Sequence, residues 1–264
     1  MVESKSKTVS KETLENLKKV GATTAWGTLG RIMKNEVLRD AYCMVNMRPL
    51  DNTYTICGQA MTVSYLPVDP INPTPEHRAI RAKNSGMLVK IMEAIKPGDV
   101  LVLAAQGRYD AGLAGEAMNQ GFKTKGTNGV VVDAGERDVP IIRTRIKHPV
   151  FMSGRATMTS AGWYPHEGKI EGIIPNEINV PVKCDGVLVR PGDIIIGDED
   201  GVIVIPIEYA DQVGRVGAAL EEIEELQRQL IAKGEYIHNQ PMDEEVLKKY
   251  GLLEKYKITR EAQV

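Results

Sequence analysis

Gly129-Val130-Val131-Val132-Asp133-Ala134-Gly135-Glu136-Arg137-Asp138 opens as an apolar, β-branched run and closes in a burst of charge. Gly129 to Asp133 reads as a strand buried on both faces, the pattern of a sheet covered by helices. Residues 134–138 then read as a short, polar loop. A buried strand that ends in a short loop of Glu, Arg and Asp aims charged groups into a cleft from a rigid support. The same residues would also suit a surface turn of solvated charge, because Arg and Asp form routine ion pairs.

Working outward, the device recurs. Lys96-Pro97-Gly98-Asp99 turns the chain into the apolar run Val100 to Ala104, and Arg190-Pro191-Gly192-Asp193 precedes Ile194 to Ile196. Gly197-Asp198-Glu199-Asp200-Gly201 then leads into Val202 to Ile205, a hairpin pattern. Tyr54 to Tyr65 reads as a strand, and Ile141, Ile142 and Pro149 to Met152 extend the strand-rich middle. Apolar spacing predicts helices over Arg78 to Ile95 and Glu208 to Lys233, and a short one within Met242 to Tyr256. Lys11 to about Lys34 reads as two short helices punctuated by Gly21, Gly27 and Gly30. Prolines at 67, 70, 73 and 75 predict an irregular loop over Leu66 to Glu76, long enough to cover something. No linker divides the chain. The expectation is one domain over 1–264, a β-rich core of about 20–234 flanked by helices and a helical tail over 235–264.

Composition narrows the function. The 264 residues are 42% apolar, ample for a sizeable core, and carry 33 basic against 35 acidic residues for a net charge of −2. No field here recruits nucleic acid or an anionic membrane. No apolar run has the length of a membrane span or a signal segment, so a cytoplasmic location is expected. Cys43, Cys57 and Cys184 form no CxxC pair and read as idle thiols. His77, His148, His166 and His238 form neither HxH nor HExxH, which disfavours zinc. The acidic turn at 198–201 lacks the ligand spacing of an EF-hand, and no Walker A or GxGxxG loop is present. His166, in Trp163-Tyr164-Pro165-His166, and Arg108 remain possible pocket residues beside blander surface or core roles.

Gly115-Glu116-Ala117-Met118-Asn119 stands upstream of the decisive strand, with Glu116 22 positions before Asp138. These two stretches, with Pro191-Gly192-Asp193 and Asp200-Gly201-Val202, resemble the RraA-like family over about Thr23 to Gly234. That family contains class II aldolases acting on 4-hydroxy-4-methyl-2-oxoglutarate and 4-carboxy-4-hydroxy-2-oxoadipate, and oxaloacetate decarboxylases. The resemblance implies a single-domain α/β sandwich with a central β-barrel-like layer, resembling the swivelling domain of phosphohistidine proteins. It makes Asp138 the metal-binding residue, Arg137 the group that holds the pyruvoyl moiety, and Glu116 a second acidic residue. Gly115 and the backbone amides of Ala117 and Met118 would grip a substrate carboxylate; Ala-Met departs from the Leu-Leu often found there, which leaves the pocket shape open. It further implies a homotrimer or homohexamer in which a neighbouring subunit supplies an acid from Glu221, Glu222, Glu224 or Glu225, with Glu224 and Glu225 preferred.

The chemistry agrees with this assignment. Mg²⁺ or Mn²⁺ prefers oxygen ligands, keeps several waters, and can be held by one or two carboxylates plus substrate. A 2-oxo acid chelates such an ion, and Arg137 would add fixed positive charge where an enolate develops. Glu116 could orient water, move a proton, or simply favour a helix N-terminus. The expected activity is therefore a metal-dependent lyase releasing pyruvate from 4-hydroxy-2-oxo acids, with oxaloacetate decarboxylation through the same enolate. Two alternatives stay open: a non-catalytic regulator of ribonuclease activity acting by protein contact, and an enzyme of this fold working on another hydroxy or sugar acid.

Overall fold

The computed structural model describes residues 8–35, 39–67, 86–155, 173–238 and 242–261, the side chains of 67, 108–111 and 261 apart. Two helices open it, α1 (Lys11–Leu17) and α2 (Ala22–Met33). Ser10 caps α1 by accepting the Thr13 N–H at 3.0 Å. Of the three glycines expected to punctuate this region only Gly21 does so, as the N-cap of α2. Gly27 and Gly30 lie inside α2, because packing of Ala25, Thr28 and Leu29 outweighs the weak helix preference of glycine.

Short strands β1 (Cys43–Met44) and β2 (Arg48–Pro49) precede the long β3 (Ile56–Pro67). Helix α3 (Met87–Ala94), β4 (Val100–Gly112), α4 (Glu116–Thr124), β5 (Gly129–Glu136) and β6 (Val150–Arg155) come next. The sequence predicts extended structure between β5 and β6, at Ile141 and Ile142. The segment is helical instead, a single turn α5 (Val139–Ile141) running into a π-turn over Ile142–Ile146. The apolar pair there is too short to set a period, and Pro140 suits a first helical turn. Then come β7 (Ile173–Ile178), β8 (Val182–Cys184), β9 (Val187–Val189), the hairpin β10 (Ile194–Asp198) and β11 (Gly201–Ile205), the long α6 (Ala210–Ala232), α7 (Glu244–Lys249) and α8 (Leu253–Glu261). The proline-rich loop lies outside the described residues beyond Pro67, as do Trp163 to His166, and Leu66 and Pro67 prolong β3 rather than opening a loop.

Nine strands form one mixed sheet in the order β1-β11-β10-β3-β4-β5-β6-β2, with β7 on β3. β3, β4, β5 and β6 are mutually parallel, and β10 of the hairpin is antiparallel to β3. The two ends of this order, β1 and β2, are separated by only Val45 to Met47 in the chain, so the sheet curls back toward itself. Side-chain alternation shows what the curl encloses. Ala60, Val102, Val131, Phe151, Ile195 and Val204, from six strands, face one shared interior cluster. The opposite faces of β3 to β6 pack Val130, Val132 and Leu103 against Met87, Ile91 and Phe122 of α3 and α4. The outer face of the hairpin packs Ile194, Ile196, Ile203 and Ile205 against α1, α2 and α6. A side chain as fully buried as Phe151 contributes roughly 2–3 kcal/mol of transfer free energy. The result is a mixed α/β fold with a barrel-like sheet between helical layers, as the resemblance implied.

Candidate functional site

Parallel strands present their carboxyl ends together, and crevices beyond those ends are where open α/β sheets bind ligands. β4 and β5 end side by side here. Their pairing slips between Leu103 and Arg108 and again between Arg108 and Gly112, so β4 carries extra residues past β5. The Leu113 N–H then donates to the Gly135 carbonyl at 2.9 Å, which delivers Gly115 and Glu116 beside the loop that leaves β5.

That loop is built around an unusual backbone. Asp138 adopts φ +58°, a left-handed conformation that Asp tolerates better than most residues. Its carbonyl accepts the N–H groups of Ile141 and Ile142 at 3.0 and 3.1 Å. Its side chain turns the other way, and Oδ2 accepts the Glu116 N–H at 3.1 Å and lies 3.7 Å from Arg137 Nε. Arg137 and Asp138 are half-exposed, with side-chain exposures of 41% and 36%. Glycine at 115 is dictated by this approach: a Cβ there would stand 2.5 Å from Asp138 Oδ2 and 2.9 Å from Arg137 Nε.

Gly115, Glu116, Arg137 and Asp138 are therefore brought together, as expected. Ala117 and Met118 lie in the first turn of α4, where backbone amides have no intrahelical acceptor. Ala117 is exposed, and Met118 packs against the core beneath α4. The Glu116 side chain is exposed. A helix N-terminus, an arginine and one carboxylate on a rigid frame suit an anion and a cation bound side by side.

Asp133 goes elsewhere. It stands an odd number of residues before Glu136, so the two carboxylates point to opposite faces of β5. Asp133 is buried in a concavity lined also by Gln106, Lys183 and Asp185, where burial raises its carboxyl pKa against opposing N–H bonds from Asp185 and Gly107. Glu224 and Glu225 are not brought to the Arg137–Asp138 loop within one chain. They ride on α6, which packs on α1, α2 and α8. Glu224 lies beside Arg31, Tyr256 and Arg260, and burial raises its pKa. Glu225 is held by Gln229 at 2.8 Å and Arg228 at 3.0 Å, which lower its pKa. The side chain of Arg108 lies outside the described residues.

Sequence reasoning missed the residues directly behind the site. Glu136 is 1% exposed, and burial pushes its carboxyl up to about 8 although Asn119 and Ala114 donate to it. Asn119 Nδ2 donates to Glu136 Oε1 at 2.7 Å and to the Gly115 carbonyl at 3.1 Å, and the Ala114 N–H reaches Glu136 Oε2 at 3.3 Å. Asn119 Oδ1 in turn meets His148 Nδ1 at 3.1 Å, and His148 Nε2 meets Thr127 Oγ1 at 2.8 Å. Burial lowers the His148 pKa to about 4. The sequence places Glu136 in a polar loop aimed into the cleft, but β5 runs through it and buries its side chain, and no spacing links it to residues 119 and 148.

Among the described residues no group of three or more His, Cys, Asp or Glu side chains could hold a metal ion. The donor chemistry still fits a hard divalent ion that keeps its waters, since Asp138 offers a half-exposed carboxylate with Glu116 next to it. No helix among the described residues is long and apolar enough to cross a membrane.

Fold and candidate site together define a mixed α/β protein whose Gly115, Glu116, Arg137 and Asp138 gather beyond the carboxyl ends of its parallel strands. Residues 20–204 match the family model described as RraA-like, Aldolase/RraA, and the chain belongs to that family. A Halalkalibacterium halodurans relative is 34% identical over 160 residues, 61% of this chain, and the match spans 64% of that relative's length. The Thermus thermophilus protein named 4-hydroxy-4-methyl-2-oxoglutarate aldolase is 31% identical over 130 residues, 49% of this chain and 73% of its own. Streptomyces coelicolor RraAS2, described as an unusual member of the RNase ES inhibitor RraA protein family, superposes with a TM-score of 0.67 at 27% identity, covering 84% of this chain and 98% of its own. The relatives thus include a protein named as an aldolase and one named as a member of a ribonuclease-inhibitor family.

Proposed function

We propose that this chain is a divalent-metal-dependent lyase that cleaves 4-hydroxy-2-oxo acids to pyruvate and a second oxo compound, and decarboxylates oxaloacetate. The observation that carries the reading is the convergence of the α4 N-terminus, Arg137 and Asp138 at Gly115, where any Cβ would collide with both side chains. The first-turn amides of Ala117 and Met118 bind the substrate carboxylate. The Arg137 guanidinium faces the 2-oxo oxygen, where negative charge grows as the C3–C4 bond breaks and its electron pair forms the enolate. Asp138, with Glu116 beside it, holds Mg²⁺ or Mn²⁺, which when bound supplies Lewis-acid polarisation of the 2-oxo group. Glu116, exposed at the rim, takes the proton from the 4-hydroxyl as the new carbonyl forms, and C3 of the enolate then takes up a proton to give pyruvate. The working form is a homotrimer or homohexamer, and Glu224 or Glu225 of a neighbouring subunit completes the acidic set.

The test is pyruvate release from oxaloacetate and a panel of 4-hydroxy-2-oxo acids with Mg²⁺ or Mn²⁺, repeated with chelator. Turnover that needs the metal and disappears in Asp138→Asn supports the lyase. Arg137→Ala is expected to cost about two orders of magnitude in kcat/KM, ~3 kcal/mol of transition-state stabilisation. The likeness to RraAS2 over nearly its whole length favours a second reading, a protein that binds a ribonuclease. No pyruvate from any substrate, together with inhibition of an RNase ES-type enzyme, would replace the first reading with that one.

A further inference from the structure

The side chains of Thr127, His148, Asn119 and Glu136 are each at least nine-tenths buried, and each contacts the next. Their hydrogen-bond directions are mutually determined. Asn119 Nδ2 donates to the Gly115 carbonyl and to Glu136, so Asn119 Oδ1 must accept, and the donor is the His148 Nδ1–H. A neutral imidazole protonated at Nδ1 has Nε2 as its acceptor, and the Thr127 hydroxyl supplies that proton. Every link constrains its neighbour, and a connected buried network of this kind favours one geometry.

The placement of the inner end gives the network a role in the site. Glu136 ends β5 immediately before Arg137 and accepts from the Ala114 N–H, while Asn119 Nδ2 donates to the carbonyl of Gly115, the N-cap of α4. Both halves of the crevice, helix amides on one side and the Arg137–Asp138 loop on the other, are thus tied to one pair of side chains. We infer that Glu136 and Asn119, oriented from behind by His148 and Thr127, are positioning residues that set the distance between the first-turn amides of α4 and the Arg137 guanidinium. This rests on the lyase reading for its consequence in catalysis, but the geometric coupling stands apart from it. None of the four touches substrate; they act through the amides and Arg137.

The amides bind the substrate carboxylate alike in ground and transition states, so loosening them raises KM more than it lowers kcat. Asn119→Ala, which removes the link at its centre, should raise KM for the 2-oxo acid about tenfold with kcat within about threefold. His148→Leu, which leaves the Asn119 bonds to Gly115 and Glu136 in place but strips the outer support of Asn119, should raise KM by a smaller factor, and His148→Gln, which keeps a donor for Asn119 Oδ1, should restore it. A purely structural role would lower the active fraction and leave KM unchanged in all three, and that result overturns the inference. His148→Leu also covers the case in which Asn119→Ala fails to fold. The ¹⁵N amide resonances of Glu116, Ala117 and Met118 in the ligand-free protein give a readout without turnover. They should move in His148→Leu although the hydrogen bonds of the His148 ring go to Asn119 and Thr127 and to none of these three, and unmoved resonances overturn the coupling. If the unsubstituted protein releases no pyruvate, the lyase reading fails alone, and the resonances still decide the positioning.

Discussion

Gly115 is the residue at which fold and function make separable demands. Its φ of −108° is open to any residue, so alanine there meets no backbone strain. The collision is with Asp138 Oδ2 and the Arg137 guanidinium, both at the mobile ends of side chains that can swing outward. The fold can therefore accept Gly115→Ala while the site cannot, since a displacement of about 1 Å costs on the order of 100-fold in rate. Pyruvate release is expected to fall by about that factor, with a thermal midpoint lowered by no more than about 2 °C. A large loss of stability would mean that the glycine serves packing instead. Asp138 poses the opposite problem, because its left-handed backbone adds a folding cost for most substitutions. Asn shares the tolerance of Asp for that conformation and Ala does not. Asp138→Ala should lose about 1 kcal/mol more stability than Asp138→Asn in urea titrations, although both abolish metal-dependent turnover.

At the scale of elements, local periodicity was legible wherever one face decides the pattern. The α6 stripe, the Pro-Gly-Asp entry to the β10–β11 hairpin and the apolar core of β5 all stand where the residues predicted them. Two kinds of feature were hidden. One was glycine, which breaks a helix or continues it according to neighbours distant in sequence. Gly27 has no atom within 4 Å of where a Cβ would sit, whereas a Cβ on Gly58 would stand 2.3 Å from the backbone carbonyl oxygen of Gly98. Gly27→Ala should accordingly stabilise the protein by about 0.5–1 kcal/mol through helix propensity. Gly58→Ala should destabilise it by roughly 1–3 kcal/mol, because a backbone carbonyl cannot step aside. Opposite shifts of the denaturation midpoint test both, and equal shifts would refute the placement of at least one. The other hidden feature was the set of partners behind the site. Gly115-Glu116 and Arg137-Asp138 each show up as local motifs, but Asn119, Glu136 and His148 are 17 and 29 positions apart in pairing and share no spacing rule.

Closure of the sheet also escapes local reading, since β1 and β2 are two residues each and only their places at opposite ends of the strand order reveal the curl. That curl and its helical layers bury two titratable groups whose effects on stability oppose each other. His148, lowered by burial from 6.5 to about 4, is neutral in the folded chain while the unfolded chain takes up a proton below 6.5. Its contribution is present above pH 6.5 and is lost as pH falls toward 4, with a magnitude on the order of 3 kcal/mol. Glu136, raised by burial from 4.5 to about 8, keeps its proton in the folded chain after the unfolded chain has released one. Its contribution is present below pH 4.5 and is lost as pH rises toward 8. Between 4.5 and 6.5 the two largely offset each other, so the decline that surfaces runs from about pH 6.5 to 8. Glu136→Gln removes that decline and uncovers a rise in stability from pH 4 to 6.5 that comes from His148. Asp133 and Asp193 are also raised by burial, but they are present in both proteins, and the difference between the two urea-midpoint profiles cancels them. A Glu136→Gln profile that still falls between pH 6.5 and 8 as steeply as the parent would show that Glu136 is not the group holding the proton behind Arg137.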